Sequence, residues 1–113
     1  MAFNDLEFHA IKKEVEAFVE STRPPQHLRG QVDNAYRIDD QTVKLFQVRP
    51  TWQGQLGDIT ELPTAKITYD RTQKDWKLYW QRANLKWELY KTTKTLGDAL
   101  ELVRTDPHGC FFG

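Results

Sequence analysis

Residues 65–90 read AKITYDRTQKDWKLYWQRANLKWELY and hold three of the four tryptophans and three of the four tyrosines of the chain. Apolar and polar residues alternate through most of the stretch, which is the period of a strand rather than of a helix. Two turn signals divide it, Arg71-Thr72-Gln73-Lys74 and Ala83-Asn84. A turn over the first pairs Tyr69 with Trp76, Ile67 with Leu78 and Ala65 with Trp80. A tight turn at the second pairs Trp80 with Trp87 and Leu78 with Leu89. Worked out separately, both registers place Ile67, Tyr69, Trp76, Leu78, Trp80, Trp87 and Leu89 on one face, and a one-residue slip in either hairpin breaks that face. The expectation is a three-stranded antiparallel meander with an aromatic floor. Ala-Asn is a poor type I′ pair, so a bulged or four-residue loop is compatible with the second turn.

Upstream, Asn4 to Glu20 reads as a helix. Asn4 can cap it, with Glu7 placed as the reciprocal carboxylate of a capping box. Leu6, Ile11, Val15, Phe18 and Val19, with Phe8 near the edge, form its apolar stripe. Thr22-Arg23-Pro24-Pro25 stops it, because the residue before a proline avoids the helical region. Gln31 to Arg49 reads as a hairpin in which Asp39 faces Thr42, Ile38 faces Val43 and Tyr36 faces Leu45. Phe46 and Val48 then fall on the opposite face, so the second strand is inner or carries a bulge near Leu45-Phe46. Pro50 to Thr64, with two glycines and two prolines, reads as a long loop. Downstream, Leu96 to Arg104 reads as a short helix capped by Thr95. Phe111 and Phe112 close the chain as a docked apolar tail with the character of an edge strand. Strands do not alternate with helices, so the class is α+β: an antiparallel sheet of about five strands, a hairpin plus the meander, packed against an N-terminal and a short C-terminal helix.

The 113 residues fit a single domain spanning 1–113, large enough for a core without a metal or disulfide. Sixteen bases balance sixteen acids, which argues against a general polyanion binder but not against a local basic patch. A single cysteine excludes an internal disulfide and suits a reducing cytoplasm. No uninterrupted apolar run points to a membrane span or a signal peptide.

The run AKITYDRTQKDWKLYWQRANLKWELY, together with Arg23-Pro24-Pro25, Tyr36-Arg37-Ile38, Arg49-Pro50 with Trp52, and the closing GCFFG, resembles the bacterial domain-of-unknown-function 3024 family. The resemblance implies a small cytoplasmic bacterial protein of one domain. It carries over no activity, cofactor or catalytic residue.

Chemistry is sparsely served. The one serine, Ser21, lies beside a proline-rich turn, and no G-x-S-x-G elbow is present. Cys110 has His108 two residues away, the neighbour a reactive thiolate needs, although a buried cysteine in a docked tail explains it more simply. His9, His27, His108 and Cys110 are scattered without CxxC or HExxH spacing, so neither a metal nor a cofactor is expected. Asp39-Asp40 belongs to turn chemistry. The basic meander is the one functional signal: residues 64–94 carry eight bases against three acids, whereas residues 1–22 carry five acids against two lysines. Its outer row presents Lys66, Lys77, Tyr79, Lys86 and Tyr90, a lysine–tyrosine mixture that suits single-stranded nucleic acid, though a plain solvated sheet face shows the same composition. The leading expectation is a non-enzymatic binding or interaction module with a protein partner or self-association. One alternative is a single-stranded nucleic-acid binder on the outer row. The other is a thiol enzyme or redox sensor at Cys110 with His108.

Overall fold

The computed structural model describes residues 3–23, 27, 33–50, 59–107, 109 and 111. Helix α1 (Asp5–Thr22) is followed by strands β1 (Asp33–Asp39), β2 (Thr42–Pro50), β3 (Ile59–Asp70), β4 (Asp75–Gln81) and β5 (Trp87–Thr93), and then by helix α2 (Leu96–Thr105). The strands form one antiparallel sheet in the order β1-β2-β3-β4-β5, each paired with its neighbour in sequence. The fold is α+β, with both helices contributing to one side of the sheet.

The local chemistry of the helix ends is as their sequences require. Asn4 accepts from the Glu7 amide at 2.8 Å, and the Glu7 carboxylate accepts from the Asn4 amide at 3.0 Å. Two orphan donors of the first turn are thereby satisfied. The Glu7 carboxylate also accepts from the guanidinium of Arg71 at 3.0 and 3.2 Å, tying the start of α1 to the β3–β4 turn. Thr95 caps α2 through the Asp98 amide at 3.1 Å, and Asp106 ends it in a left-handed conformation with its amide donating to Leu102.

The core lies between the helices and one face of the sheet. Ile11, Val15 and Val19 of α1 and Leu96, Ala99, Leu100 and Val103 of α2 meet Val43, Leu45, Ala65, Ile67, Trp76 and Leu78 from the strands. Leu6 departs from the expected α1 stripe and is 85% exposed. Phe3, before the cap, packs there instead, with its ring 5.9 Å from that of Trp76 and 6.4 Å from that of Tyr69. Phe111 docks as expected, buried against the Tyr90 ring at 5.1 Å, but it lies in a bend rather than an edge strand. Phe112, Cys110, His108 and Trp52 lie outside the described residues.

Register separates the two hairpins. In the first, Asp39 pairs with Thr42, Ile38 with Val43 and Tyr36 with Leu45, as alternation demands. The irregularity at Leu45/Phe46 is present, and the extra residue belongs to β3: Leu45 pairs with Ala65 but Phe46 with Pro63, leaving Thr64 unpaired and buried. That bulge lets Pro63 sit inside a strand, where a missing amide would otherwise break the ladder. Consequently β3 begins at Ile59, and residues 59–64, expected in a loop, belong to the sheet.

In the meander Tyr69 pairs with Trp76 and Ile67 with Leu78, matching the expectation. The β4–β5 register does not match. Gln81 pairs with Trp87, Trp80 with Glu88 and Tyr79 with Leu89. The loop contains three residues rather than two: the Leu85 amide donates to the Arg82 carbonyl at 2.8 Å, the Arg82 amide donates to Lys86 at 2.9 Å, and Leu85 itself is left-handed at φ 67°. This is a type I turn closed by a left-handed bulge residue. The one-residue slip turns Trp87 and Leu89 away from the helices. A second bulge at Tyr90 shifts the register again, so that Leu78 pairs with Lys91 and Trp76 with Thr93. Tyr90 thereby joins the helix-side core instead of the outer row.

Candidate functional site

Among the described residues no element covers the face of the sheet opposite the helices. The paired registers line up a transverse row on this open side: Arg37 on β1, Lys44 on β2, Lys66 on β3, Tyr79 on β4 and Leu89 on β5. Phe46 lies beside the row, opposite Ala35 and Pro63, and Trp87 lies beside it opposite Gln81. A depression of about 200 Å³ opens here, lined by Arg37, Lys44, Phe46, Glu61, Pro63 and Trp87.

Three cations on adjacent strands, directly opposite one another, are an arrangement that costs stability. They differ in how they are neutralised. Arg37 donates to Glu61 at 3.1 Å and stacks its guanidinium 5.1 Å above the Phe46 ring. Lys44 and Lys66 form no ion pair with any described carboxylate. The Lys66 ammonium rests on aromatic faces instead, 4.7 Å from the centre of the Tyr79 ring and 5.2 Å from that of Trp87. Cation–π contact offsets part of its desolvation. Burial, and after it the neighbouring Lys44 charge, still hold the Lys66 pKa below the usual lysine range. The site therefore combines positive charge that has no counterion among the described residues with ring faces that a lysine covers.

The expected outer-row residues fall into three groups. Lys66, Lys77 and Tyr79 do share the open side. Lys77 is spoken for: its ammonium donates to Asp70 at 3.0 Å and to Asp75 at 3.4 Å, which raises its pKa. Lys86 is exposed in the β4–β5 loop region. Tyr90 packs on the other side, so its assignment to the outer row is corrected. Trp87 takes its place, and the two-residue turn assumed from Ala83-Asn84 is what concealed it. Arg37, Lys44 and Phe46 also line the site. Their faces were legible from the β1–β2 alternation, but their nearness to Lys66 required the β2–β3 pairing.

The remaining candidates assemble nothing comparable. His108 and Cys110 lie outside the described residues, and His9 and His27 are exposed. No group of three or more His, Cys, Asp or Glu side chains is placed to hold a metal ion among the described residues. A larger open concavity of about 400 Å³ lies between α1 and β1. Its polar groups satisfy one another: Arg23 donates to Asp33 at 2.9 and 2.7 Å, and the Tyr36 hydroxyl donates to Glu16 at 2.6 Å. This is a brace between helix and sheet edge.

A family model described as Domain of unknown function (DUF3024) matches residues 3–113. The chain belongs to that family. The match spans α1, all five strands and α2, so the open side lies wholly within the family domain. No curated protein and no solved structure matches the chain. No helix among the described residues is long and apolar enough to cross a membrane.

Proposed function

We propose that the protein is a non-enzymatic binding module whose ligand is single-stranded nucleic acid, held on the open side of the sheet. The observation that carries this reading is the cation row: Lys44 and Lys66 face each other with no described carboxylate between them, beside the rings of Tyr79 and Trp87. A row of like charge that weakens the fold is readily understood where a polyanion neutralises it. Phosphates meet Lys44 and Lys66, and bases stack on the ring faces that Lys66 vacates as its ammonium turns toward phosphate. Arg37 on Phe46 offers a second cation-and-ring pair at the far end of the depression. The balanced net charge of the whole chain confines the attraction to this patch. The same reading places the protein in the cytoplasm, where nucleic acid and a lone reduced cysteine occur together.

The test is fluorescence anisotropy with labelled homopolymeric oligonucleotides across a salt series. Engagement of Lys44, Lys66 and one further cation gives a log–log slope of affinity against salt of about −2 for a single strand. Absence of binding at low ionic strength, or binding with no salt dependence, refutes the reading.

A further inference from the structure

The β4–β5 loop carries a second anomaly that the cation row does not explain. In a three-residue hairpin loop of this kind the last position is left-handed and is ordinarily glycine. Here it is Leu85, at φ 67°. The conformation is firmly held. The Leu85 amide donates to Arg82 at 2.8 Å, the Lys86 amide donates to the Asn84 side chain at 3.0 Å, and the Gln81 side chain donates to the Leu85 carbonyl at 3.1 Å. Yet the leucine side chain is 75% exposed and buries almost nothing in return. Strain fixed by surrounding hydrogen bonds, on a side chain the fold does not use, is a pattern that marks functional positions. Along the strand that follows, Trp87 and Leu89 face the open side, and Leu89 is itself 49% exposed. Lys86 adjoins the leucine in sequence, exposed and without an ion pair to any described carboxylate. Arg82, at the other end of the loop, is paired with Glu88 at 3.2 Å, so Lys86 is the cation that adjoins the tip. An apolar tip, followed by a lysine and then a ring, fits a stacked base pair at the end of a duplex, whose apolar faces are edged by phosphate.

We propose that the Leu85 tip is a wedge that abuts the last base pair where a duplex gives way to a single strand, so that the ligand of the open side is a junction rather than an isolated strand. This rests on the single-strand reading above. It adds to that reading a preferred substrate, a duplex bearing a single-stranded overhang. Leucine is among the side chains that other proteins press against or between base pairs. The hydrogen bonds of the loop hold the Leu85 backbone in the conformation that presents the tip.

The experiment compares three probes at one salt concentration: a single strand, a blunt duplex, and a duplex with an overhang of the same single-stranded length. The expected result is that the overhang duplex binds about ten-fold more tightly than the single strand, a stacking-sized preference. In Leu85→Gly, which accepts the left-handed backbone, that preference falls to about one while affinity for the single strand and the melting temperature hold or rise. Leu85→Met keeps the preference, because it keeps an apolar tip. Equal affinity for overhang duplex and single strand in the wild type overturns the wedge and leaves the single-strand reading standing, as does a preference that survives in Leu85→Gly. Failure to bind any of the three probes overturns both. A change in oligomeric state in Leu85→Gly, with all three affinities unaltered, also overturns the wedge and assigns the tip to contact between copies of the chain.

Discussion

Replacing Lys44 by glutamine is expected to make the protein more stable and a weaker binder at once. Lys44 and Lys66 are direct cross-strand partners on the open side, and neither has a described carboxylate as counterion. At a separation of about 7 Å in water-like surroundings, two unit charges repel by about 0.6 kcal/mol, within the range of about 0.2–1 kcal/mol for cross-strand pairs. Removing one charge returns about that much to the fold, which in a domain of this size raises Tm by roughly 2 °C. The same change relieves the second cause of the depressed Lys66 pKa, the Lys44 charge, and leaves the first, burial. Oligonucleotide binding responds in the opposite direction: one fewer cation reduces the salt slope by about 0.7. Lys44→Arg keeps the charge and should leave both quantities close to wild type. The assays are thermal unfolding at low salt, where screening is least, and anisotropy across a salt series. A Lys44→Gln variant that is destabilised, or that binds with an unchanged salt slope, refutes the reasoning that the row is kept for a polyanion.

Further outcomes follow from the same geometry. Trp87→Ala should weaken single-strand binding by about 1–3 kcal/mol through lost stacking. Tyr90→Phe should leave binding unchanged because that ring lies on the helix side against Phe111; titrations of the two variants side by side check the β5 register as well as the site. On the acid side, Glu7 is held below the usual carboxylate range first by its hydrogen bond to Arg71, and Asp70 first by the Gln73 amide and then by Lys77. Depressed folded-state values contribute stability that is present above the unfolded carboxylate pKa and lost as pH falls through the folded one. Tm should therefore be flat from neutrality to about pH 5 and fall below about pH 4. Glu7→Gln, which can still complete the capping box, should flatten that fall in a pH series of melting curves. Leu78→Ala, at a fully buried position in the middle of the sheet, should cost about 2–5 kcal/mol by chemical denaturation.

Much of the architecture was written in residue order. Asn4 with Glu7, Thr95 and Asp106-Pro107 set the helix ends by local hydrogen-bonding chemistry, which needs no distant partner. Asp39 to Thr42 fixed the first hairpin, because only one register keeps Tyr36, Ile38, Val43 and Leu45 on a common face. The start of β3 was not legible, since Pro63 and its neighbours look like loop until the bulge at Thr64 accommodates them. The open side itself was half legible. Lys66, Lys77 and Tyr79 followed from alternation, but nothing local to Lys77 shows that Asp70 and Asp75 neutralise it, or that Lys44 and Arg37 stand next to Lys66.

The stretch from Ala65 to Tyr90 shows where the boundary lies. Residue order was enough to make it a meander and to pair Tyr69 with Trp76 across its first turn. It was not enough to say which ring of β5 faces the helices. A two-residue turn buries Trp87 and Leu89, whereas a three-residue turn puts Glu88 and Tyr90 on the helix side, so period-2 alternation by itself favours the two-residue turn and the observed register runs against it. The choice falls to contacts distant in sequence. Phe111 supplies a docking partner for Tyr90, and the second bulge shifts the register one residue further, so that Thr93 pairs with Trp76. By that choice Trp87 comes to the open side and lies beneath the ammonium of Lys66.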